Sequence, residues 1–286
     1  MSKLETPVER QGRPIGVLDS GVGGLSIIEE IRRQLPHEDI LHFADSGNCP
    51  YGVRPPSEIR ELAESAAVFL LEQGAKALVI ACNTASTAAV AYLRQKWPDL
   101  PIVGMVPAVK PAARMTTSGT IGVLATAATG KAPVLLDVID RFASDVKVLI
   151  AAPPGLVEAV EEGRAETPET VAILKAAVEP MLEQGADALV LGCTHFPFLR
   201  PALESILQGR MHVIDSGEAV ARQTVRVLET ANLLNPQTGP GHLKCFTSGD
   251  PELSRVVIAN LLKLPDPAAL DLEYVAADRS FSWSKK

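Results

Sequence analysis

Two cysteines occupy positions where acid–base chemistry is possible. Cys82 begins the run CNT and Cys193 begins the run CTH. Each thiol comes directly after a short apolar run and precedes polar side chains, a pattern typical of a strand that leads into a helix. Free backbone N–H groups and the helix dipole favour a thiolate at such a turn. A thiol with an ordinary pKa near 8.5 then needs only a modest shift to act as a base near neutral pH.

The segments that lead into the two cysteines repeat each other. Residues 72–82 are EQGAKALVIAC and residues 183–193 are EQGADALVLGC, so eight of eleven positions are identical at an offset of 111 residues. A weaker match pairs IGVL at 15–18 with IGVL at 121–124, at an offset of 106. Two related halves of the chain explain both matches, and they make the two cysteines equivalent positions.

Two equivalent thiols allow three chemistries. A redox pair is one, but the chain has no CxxC motif. A metal site is another, but zinc takes four ligands and only His195 obviously joins the two thiols. The third is proton transfer at both faces of one carbon atom, with one sulfur as a thiolate base and the other as a thiol acid. A single cysteine is usually a small core residue, so this third prediction depends on the repeat. We expect no metal.

A glycine-rich segment, DSGVGG at 19–24, follows the first apolar run. Its glycines allow a tight turn and a close approach of the backbone to a ligand. Ser20 is suited to bind an amino-acid carboxylate or amine, and Asp19 to accept from an α-ammonium group or to orient the first thiol. His195, two residues after the second thiol, is suited to polarise or protonate that site. The dinucleotide pattern GxGxxG is not met, because Ser26 occupies its third glycine position.

Short apolar runs alternate with longer amphipathic ones along the chain. The predicted strands are 15–18, 78–81, 102–105, 121–124, 189–192 and 213–214, with an edge segment near 243–247. The predicted helices are 57–73 with Ser57 as N-cap, one that starts at Thr167-Pro168 and kinks or ends at Pro180, 218–231 and 251–262. Strands that are β-branched and not alternating are typical of parallel sheets covered on both faces. The chain is therefore predicted to be an α/β protein with mainly parallel sheets.

The repeat divides this α/β protein into two related domains. Residues 1–105, completed by 217–286, are predicted to form the first domain, and residues 106–216 the second. Ligands of open α/β sheets bind beyond the carboxyl ends of the strands. A pseudo-twofold relationship would therefore bring Cys82 and Cys193 face to face, and we expect the active site in the cleft between the domains.

Composition narrows the possible functions. The 286 residues are 47% hydrophobic and 21% charged, as in soluble globular proteins. No run approaches the roughly 20 apolar residues of a membrane span, and the N-terminal segment has no apolar core of a secretion signal. We therefore expect a cytoplasmic protein with no membrane partner. The net charge of −7 argues against nucleic-acid binding, and disulfides are not expected among the four cysteines.

Together these motifs resemble glutamate racemases, within the aspartate/glutamate racemase superfamily. The matching runs are IGVLDSGVGGLS (15–26), FADSGNCPYG (43–52), VIACNTAS (79–86), IGVLAT (121–126), LGCTHFPFL (191–199) and VIDSG (213–217). The resemblance implies two α/β domains with the site between them, no pyridoxal phosphate or other cofactor, and no metal. It also implies interconversion of L- and D-glutamate, supply of D-glutamate for bacterial peptidoglycan, and a homodimer.

The resemblance assigns roles to individual residues. Cys82 and Cys193 match the two catalytic cysteines, and Asp19 and His195 match residues that assist the thiols. The residues it implies for contact with the substrate are Asp19, Ser20, Tyr51, Gly52, Asn83, Thr84, Thr194 and His195.

A further catalytic residue implied by the resemblance is a glutamate between the two cysteines. Glu161 aligns best with it, with Glu158 and Glu162 as close alternatives. Cys49 and Cys245 are expected to be incidental.

Several alternative functions stay open. An aspartate racemase performs the same chemistry on a shorter substrate, and pocket shape decides between the two. A decarboxylase of the superfamily needs only one of the two cysteines, so the presence of both argues against it. A non-catalytic binding protein is another alternative, as is a racemase with a second role such as inhibition of DNA gyrase. The acidic net charge gives no support for DNA contact.

Overall fold

The computed structural model describes residues 10–276 and contains two parallel β-sheets. The first sheet has the order β10-β9-β2-β1-β3-β4. Its strands are β1 (Ile15–Asp19), β2 (Ile40–Ala44), β3 (Ala77–Ile80), β4 (Ile102–Val103), β9 (Leu243–Thr247) and β10 (Leu272–Tyr274). The second sheet has the order β6-β5-β7-β8. Its strands are β5 (Thr120–Ala125), β6 (Lys147–Ala151), β7 (Ala188–Gly192) and β8 (His212–Ile214).

Helices connect the strands in both sheets, as parallel pairing requires. Within the described residues they are α1 (Leu25–Gln34), α2 (Pro56–Glu72), α3 (Asn83–Lys96), α4 (Val109–Met115), α5 (Ala127–Gly130), α6 (Pro133–Phe142), α7 (Leu156–Glu161), α8 (Pro168–Glu183), α9 (Arg200–Leu207), α10 (Gly217–Thr230) and α11 (Pro251–Leu261). The central strands β1, β3 and β7 are buried along their whole length, which explains their continuous apolar sequences. The predicted α/β class with parallel sheets is confirmed.

The two sheets share one arrangement of their first four strands. The order β2-β1-β3-β4 in the first sheet corresponds to β6-β5-β7-β8 in the second. The register corresponds as well, because Ile15 pairs with Ala77 in the first sheet and Ile121 pairs with Ala188 in the second. These pairs are related by the offsets 106 and 111 that the sequence repeat shows. The repeat therefore reflects two structurally equivalent halves, and β9 and β10 extend only the first.

The strands respect the predicted division of the chain, although its boundaries at residues 105 and 216 stay a prediction. Strands of the first sheet lie in residues 15–103 and 243–274, and those of the second lie in residues 120–214. No helix among residues 10–276 combines the length and the apolar character that a membrane crossing requires.

Two local predictions were wrong, a third was wrong in one of its two outcomes, and three strands were missed. The segment at 243–247 is not an edge, because β9 lies between β2 and β10. Helix α2 begins at Pro56 and its N-cap is Pro55; Ser57 is therefore already inside the helix, and proline suits the first helical turn. Helix α8 does not end at Pro180, since it continues to Glu183; the kink that was the other predicted outcome stays a prediction. Strands β2, β6 and β10 were not predicted.

Candidate active site

Asp19 is the last residue of β1 and lies at the centre of the site with no exposed surface. Its Oδ1 accepts from the backbone N–H of Ser20 at 2.6 Å and from the Ser20 hydroxyl at 3.2 Å. Its Oδ2 accepts from the hydroxyl of Thr194 at 3.1 Å. Because Thr194 follows β7, this carboxylate joins the carboxyl ends of the two sheets. Burial raises the pKa of Asp19 to about 6, although the nearby His195 opposes this shift.

Cys82 lies between β3 and α3 and is almost fully buried. It caps α3, because its sulfur accepts from the backbone N–H of Ala85 at 3.4 Å. Its thiol donates to the hydroxyl of Ser20 at 3.6 Å, and that hydroxyl in turn donates to Asp19. Burial and then the carboxylate of Asp19 raise the pKa of Cys82. The surroundings of this sulfur thus favour the protonated thiol.

Cys193 follows β7, a position equivalent to that of Cys82 after β3. Its neighbour, however, is the imidazole of His195 rather than a serine and a carboxylate. Its sulfur lies 3.7 Å from Nδ1 of His195. Nε2 of His195 lies 2.6 Å from Oε1 of Glu161. Burial alone would lower the pKa of His195, but its hydrogen bonds to Cys193, Cys49 and Glu161 outweigh burial and hold the pKa well above its ordinary value. A cationic imidazole at this distance stabilises negative charge on the Cys193 sulfur.

Glu161, the last residue of α7, is held from three directions. Besides contacting His195, it accepts from the backbone N–H of Val22 at 2.6 Å and from the hydroxyl of Ser46 at 2.7 Å. Burial opposes ionisation of this carboxylate, but the hydrogen bond with His195 leads the contacts that lower its pKa overall. Of the three glutamates considered from the sequence, Glu161 is the one in contact with His195.

Two glycines of the DSGVGG loop are required by this packing. A Cβ atom at Gly23 would overlap Nδ1 of His195 and would lie 2.8 Å from Oδ2 of Asp19. A Cβ atom at Gly21 would overlap the carboxylate of Glu161. The loop needs glycine at these two positions because Glu161 and His195 of the second half pack directly on its backbone.

Of the other residues expected to contact substrate, two make contacts with the second half and one hydrogen-bonds within the first. Thr84 at the start of α3 shares hydrogen bonds with the hydroxyls of Thr126 at 3.1 Å and Thr129 at 3.2 Å, so it also bridges the halves. Gly52 packs on Thr126, since a Cβ atom at Gly52 would lie 2.9 Å from Cβ of Thr126. Tyr51, by contrast, is buried and donates its hydroxyl proton to Asp45 at 2.6 Å. The hydroxyl of Tyr51 is thus engaged within the first half.

Asn83 is an unusual member of the site. Its side chain is buried, yet neither Nδ2 nor Oδ1 has a hydrogen-bond partner among the described residues. A buried amide without partners costs on the order of 1–3 kcal/mol, so its polar atoms are available to bind a ligand or a water molecule. Asn83 follows Cys82 directly, so this unmet donor and acceptor lie next to the reactive sulfur.

Three residues at or beside the site were not predicted from the sequence. Thr126 occupies in the second half the place of Ser20 in the first, so the repeat could have revealed it. His42 on β2 is fully buried with both ring nitrogens unpartnered among the described residues, and burial lowers its pKa to about 4. Cys49 was expected to be incidental, but it contacts His195, and burial raises its pKa to about 12.

The arrangement presents two sulfurs with opposite polarisation at equivalent strand ends. Cys82 lies beside a carboxylate and Cys193 beside an imidazole. Such a pair can hold one proton and lack another at the same time, which is what transfer across a single carbon atom requires. Both cysteines are nearly enclosed, at 5% and 8% exposure, so the two sulfurs are largely shielded from bulk water.

Comparisons with known proteins agree on one family. The family model for Asp/Glu/hydantoin racemases matches residues 15–224. A glutamate racemase from Roseiflexus sp. strain RS-1 is 49% identical over 245 residues, which is 85% of this chain and 90% of the relative.

Solved structures agree with the sequence comparison. A glutamate racemase isoform from Bacillus anthracis superposes with a TM-score of 0.81 at 32% identity, covering 93% of this chain and 98% of that one. The Escherichia coli glutamate racemase, solved in complex with L-glutamate and the activator UDP-MurNAc-Ala, has a TM-score of 0.79 at 34% identity, covering 92% of this chain and 98% of that one.

Proposed function

Because the chain belongs to the Asp/Glu/hydantoin racemase family, we propose that it interconverts L-glutamate and D-glutamate without a cofactor. Its class is that of the amino-acid racemases, which are isomerases. The observation that carries the proposal is the pair of equivalent but oppositely polarised thiols, Cys82 and Cys193. The glutamate racemases among its relatives, and the L-glutamate bound by the E. coli enzyme, support glutamate as the substrate.

The proposed reaction uses one thiolate and one thiol in each direction. For L-glutamate, the Cys193 thiolate takes the α-proton and the Cys82 thiol donates its proton to the opposite face. For D-glutamate the two sulfurs exchange roles. The Asp19–Ser20 pair beside Cys82 and the His195–Glu161 pair beside Cys193 supply the local charges that favour these starting states. No net change in protons or electrons accompanies a turnover.

Recognition of the amino acid is assigned to polar groups around the sulfurs. The unpartnered amide of Asn83 is able both to donate to a carboxylate and to accept from an ammonium group. The backbone N–H groups at the start of α3, which begins at Asn83, favour a carboxylate there. Ser20 lies in the same region through its bond with Cys82, and the hydroxyls of Thr84 and Thr194 bridge the halves beside it. Tyr51 and Gly52 are assigned to shaping the wall of the pocket.

The biological role follows from the proposed reaction. D-glutamate is a building block of bacterial peptidoglycan, so we assign the enzyme to cell-wall synthesis and the maintenance of cell shape, in the cytoplasm and as a homodimer. The activator bound to the E. coli enzyme is a sugar-nucleotide precursor of the wall, which supports the same assignment.

Solvent exchange tests the proposed reaction directly. Purified protein in D₂O without added cofactor should place deuterium at the α-carbon of either glutamate enantiomer and should bring each to a racemic mixture. Exchange with aspartate and none with glutamate would replace the proposed substrate with the shorter acid. No exchange with either amino acid would overturn the racemisation mechanism.

A further inference from the structure

Cys49 lies outside the chemistry described so far but touches two of its residues. It follows the short 3₁₀ turn Ser46–Asn48 and is half-buried. Its sulfur, a carboxylate oxygen of Glu161 and a ring nitrogen of His195 all lie within 4.8 Å of one another. Thiolate, carboxylate and imidazole are the three side-chain ligand types that zinc takes in proteins.

A separate opening leads from solvent to this group. A cavity of about 220 Å³ is lined by both Cys49 and Glu161. Three more carboxylate residues, Glu158, Glu162 and Asp250, line the same cavity. An acidic cavity concentrates cations, and water within it supplies the fourth ligand that three protein side chains leave open.

The geometry points to a binding site for zinc, or a similar thiophilic divalent cation, formed by Cys49, Glu161 and His195 and entered from the acidic cavity. The site shares His195 and Glu161 with the surroundings of Cys193, but the acidic cavity that leads to it is lined by neither Cys82 nor Cys193. Because the same histidine faces the sulfur of Cys193, the bound ion acts as an inhibitor.

Binding rearranges the contacts of His195. The ion replaces the proton between Nε2 of His195 and Oε1 of Glu161, which now lie 2.6 Å apart, and it also replaces the thiol proton of Cys49. Two protons therefore leave for each ion bound. The ion then lies between the imidazole and Glu161, so Nε2 can no longer hold the proton that makes the ring cationic beside Cys193. This inhibitory consequence rests on the proposed function, whereas binding itself does not.

Cobalt(II) tests binding without any reference to activity. The intact protein should give the thiolate-to-cobalt charge-transfer absorption of a cysteine ligand, and Zn²⁺ should abolish that absorption by displacing Co²⁺. Cys49→Ser should lose the absorption and bind Co²⁺ at least about tenfold more weakly, the lower end of what even an outer-shell change costs a metal site. Cys49→Ala serves as a second variant, and thermal melts establish that both are folded.

Matched cysteine variants separate this site from the catalytic cleft. The absorption should persist in Cys82→Ser, in Cys193→Ser and in Cys245→Ser, whose thiol is buried on β9. The proposed site would be overturned if the absorption survived in both Cys49 variants or never formed in the intact protein. Loss of the absorption when Cys82 or Cys193 is replaced would overturn it as well.

Activity provides the second measurement. Zn²⁺ should lower kcat of the intact enzyme, saturating glutamate should not relieve the inhibition, and a chelator should restore the rate. The residual activity of Cys49→Ser should be at least about tenfold less sensitive to Zn²⁺. Inhibition that glutamate overcomes would place the ion in the cleft and contradict the proposal. An inactive protein that still binds Co²⁺ through Cys49 would refute the proposed function and leave the metal site standing.

Discussion

Nε2 of His195 lies 2.6 Å from Oε1 of Glu161, and the opposite ring nitrogen of the same histidine faces the sulfur of Cys193 at 3.7 Å. The imidazole thus links the carboxylate of Glu161 to the thiol of Cys193 through its two ring nitrogens. Glu161 is itself fixed by Val22 and Ser46 of the first half. The imidazole beside Cys193 is therefore positioned through contacts made by the first half of the chain.

Glu161→Gln should weaken racemisation and change its pH profile. The glutamate helps to hold the pKa of His195 above its ordinary value, so the variant's imidazole loses its proton at lower pH. Because hydrogen bonds between charged groups contribute ~1.5–3 kcal/mol, kcat/KM for L-glutamate should fall ~10–100-fold, with the alkaline limb moved to lower pH. Rates measured across the pH range test this. Glu162→Gln is the control, since Glu162 is exposed and pairs with Arg164; equal effects in the two variants would contradict the role of Glu161.

Single replacement of Cys82 or Cys193, the two proposed catalytic cysteines, should separate exchange from racemisation. Cys82→Ser keeps the Cys193 base, so it should exchange the α-proton of L-glutamate slowly while retaining configuration. Cys193→Ser should do the same with D-glutamate. Net racemisation should fall ~10²–10⁴-fold in each, the usual contribution of a positioned acid or base. Proton NMR in D₂O combined with chiral chromatography measures both quantities. Full racemase activity in either variant would disprove the two-base mechanism.

Gly23→Ala should disable the site through steric overlap. The new methyl group meets His195 and lies 2.8 Å from Oδ2 of Asp19, so both side chains must move. Overpacking of this kind costs ~1–3 kcal/mol of stability, and displacement of two assisting groups should lower kcat/KM at least about 100-fold. Gly239→Ala is the matched control, because a methyl group at that position would have no atom within 4 Å. Comparable losses in the two variants would show that the effect is not local to the site.

Asp19→Asn should stabilise the protein at alkaline pH while it lowers activity. The folded pKa of Asp19 is about 6 against an ordinary value of 3.8, so the neutral acid is favoured in the folded state. Stability present below pH 4 is therefore lost as the pH rises through 6, by up to ~3 kcal/mol for this shift. Urea unfolding should show a larger free energy of unfolding for the variant than for the parent at pH 8, and no such difference at pH 4. A difference that is independent of pH would contradict the burial of an ionised carboxylate.

Much of the site could be predicted from the sequence because the chain repeats itself. The repeat placed Cys82 and Cys193 at equivalent strand ends, and the register of the two sheets confirms that equivalence. Applied one step further, it would also have indicated Thr126 as the counterpart of Ser20. The three strands missed were harder to detect: β2 carries His42 in its centre, β6 is largely exposed or half-buried, and β10 has only three residues.

Other features depend on packing that no local pattern encodes. Glu158, Glu161 and Glu162 lie within two helical turns in and just after α7. Which of the three side chains packs on the DSGVGG loop decides which one reaches His195, and that side chain is Glu161. Cys49 is separated from His195 by 146 residues of sequence and meets it because the halves close on each other. Contacts of this kind arise from the relative position of the two sheets.

The hydrogen bonds from Thr194 to Asp19 and between Thr84 and Thr126 cross from one half to the other. Any separation of the halves that admits an amino acid to the buried sulfurs would break these same bonds. The arrangement around the sulfurs is therefore complete only while the halves are in contact and bulk water is largely excluded. In the proposed reaction, a carbanion formed there would meet a sulfur-bound proton before it meets water, so enclosure would protect the fidelity of the proton transfer.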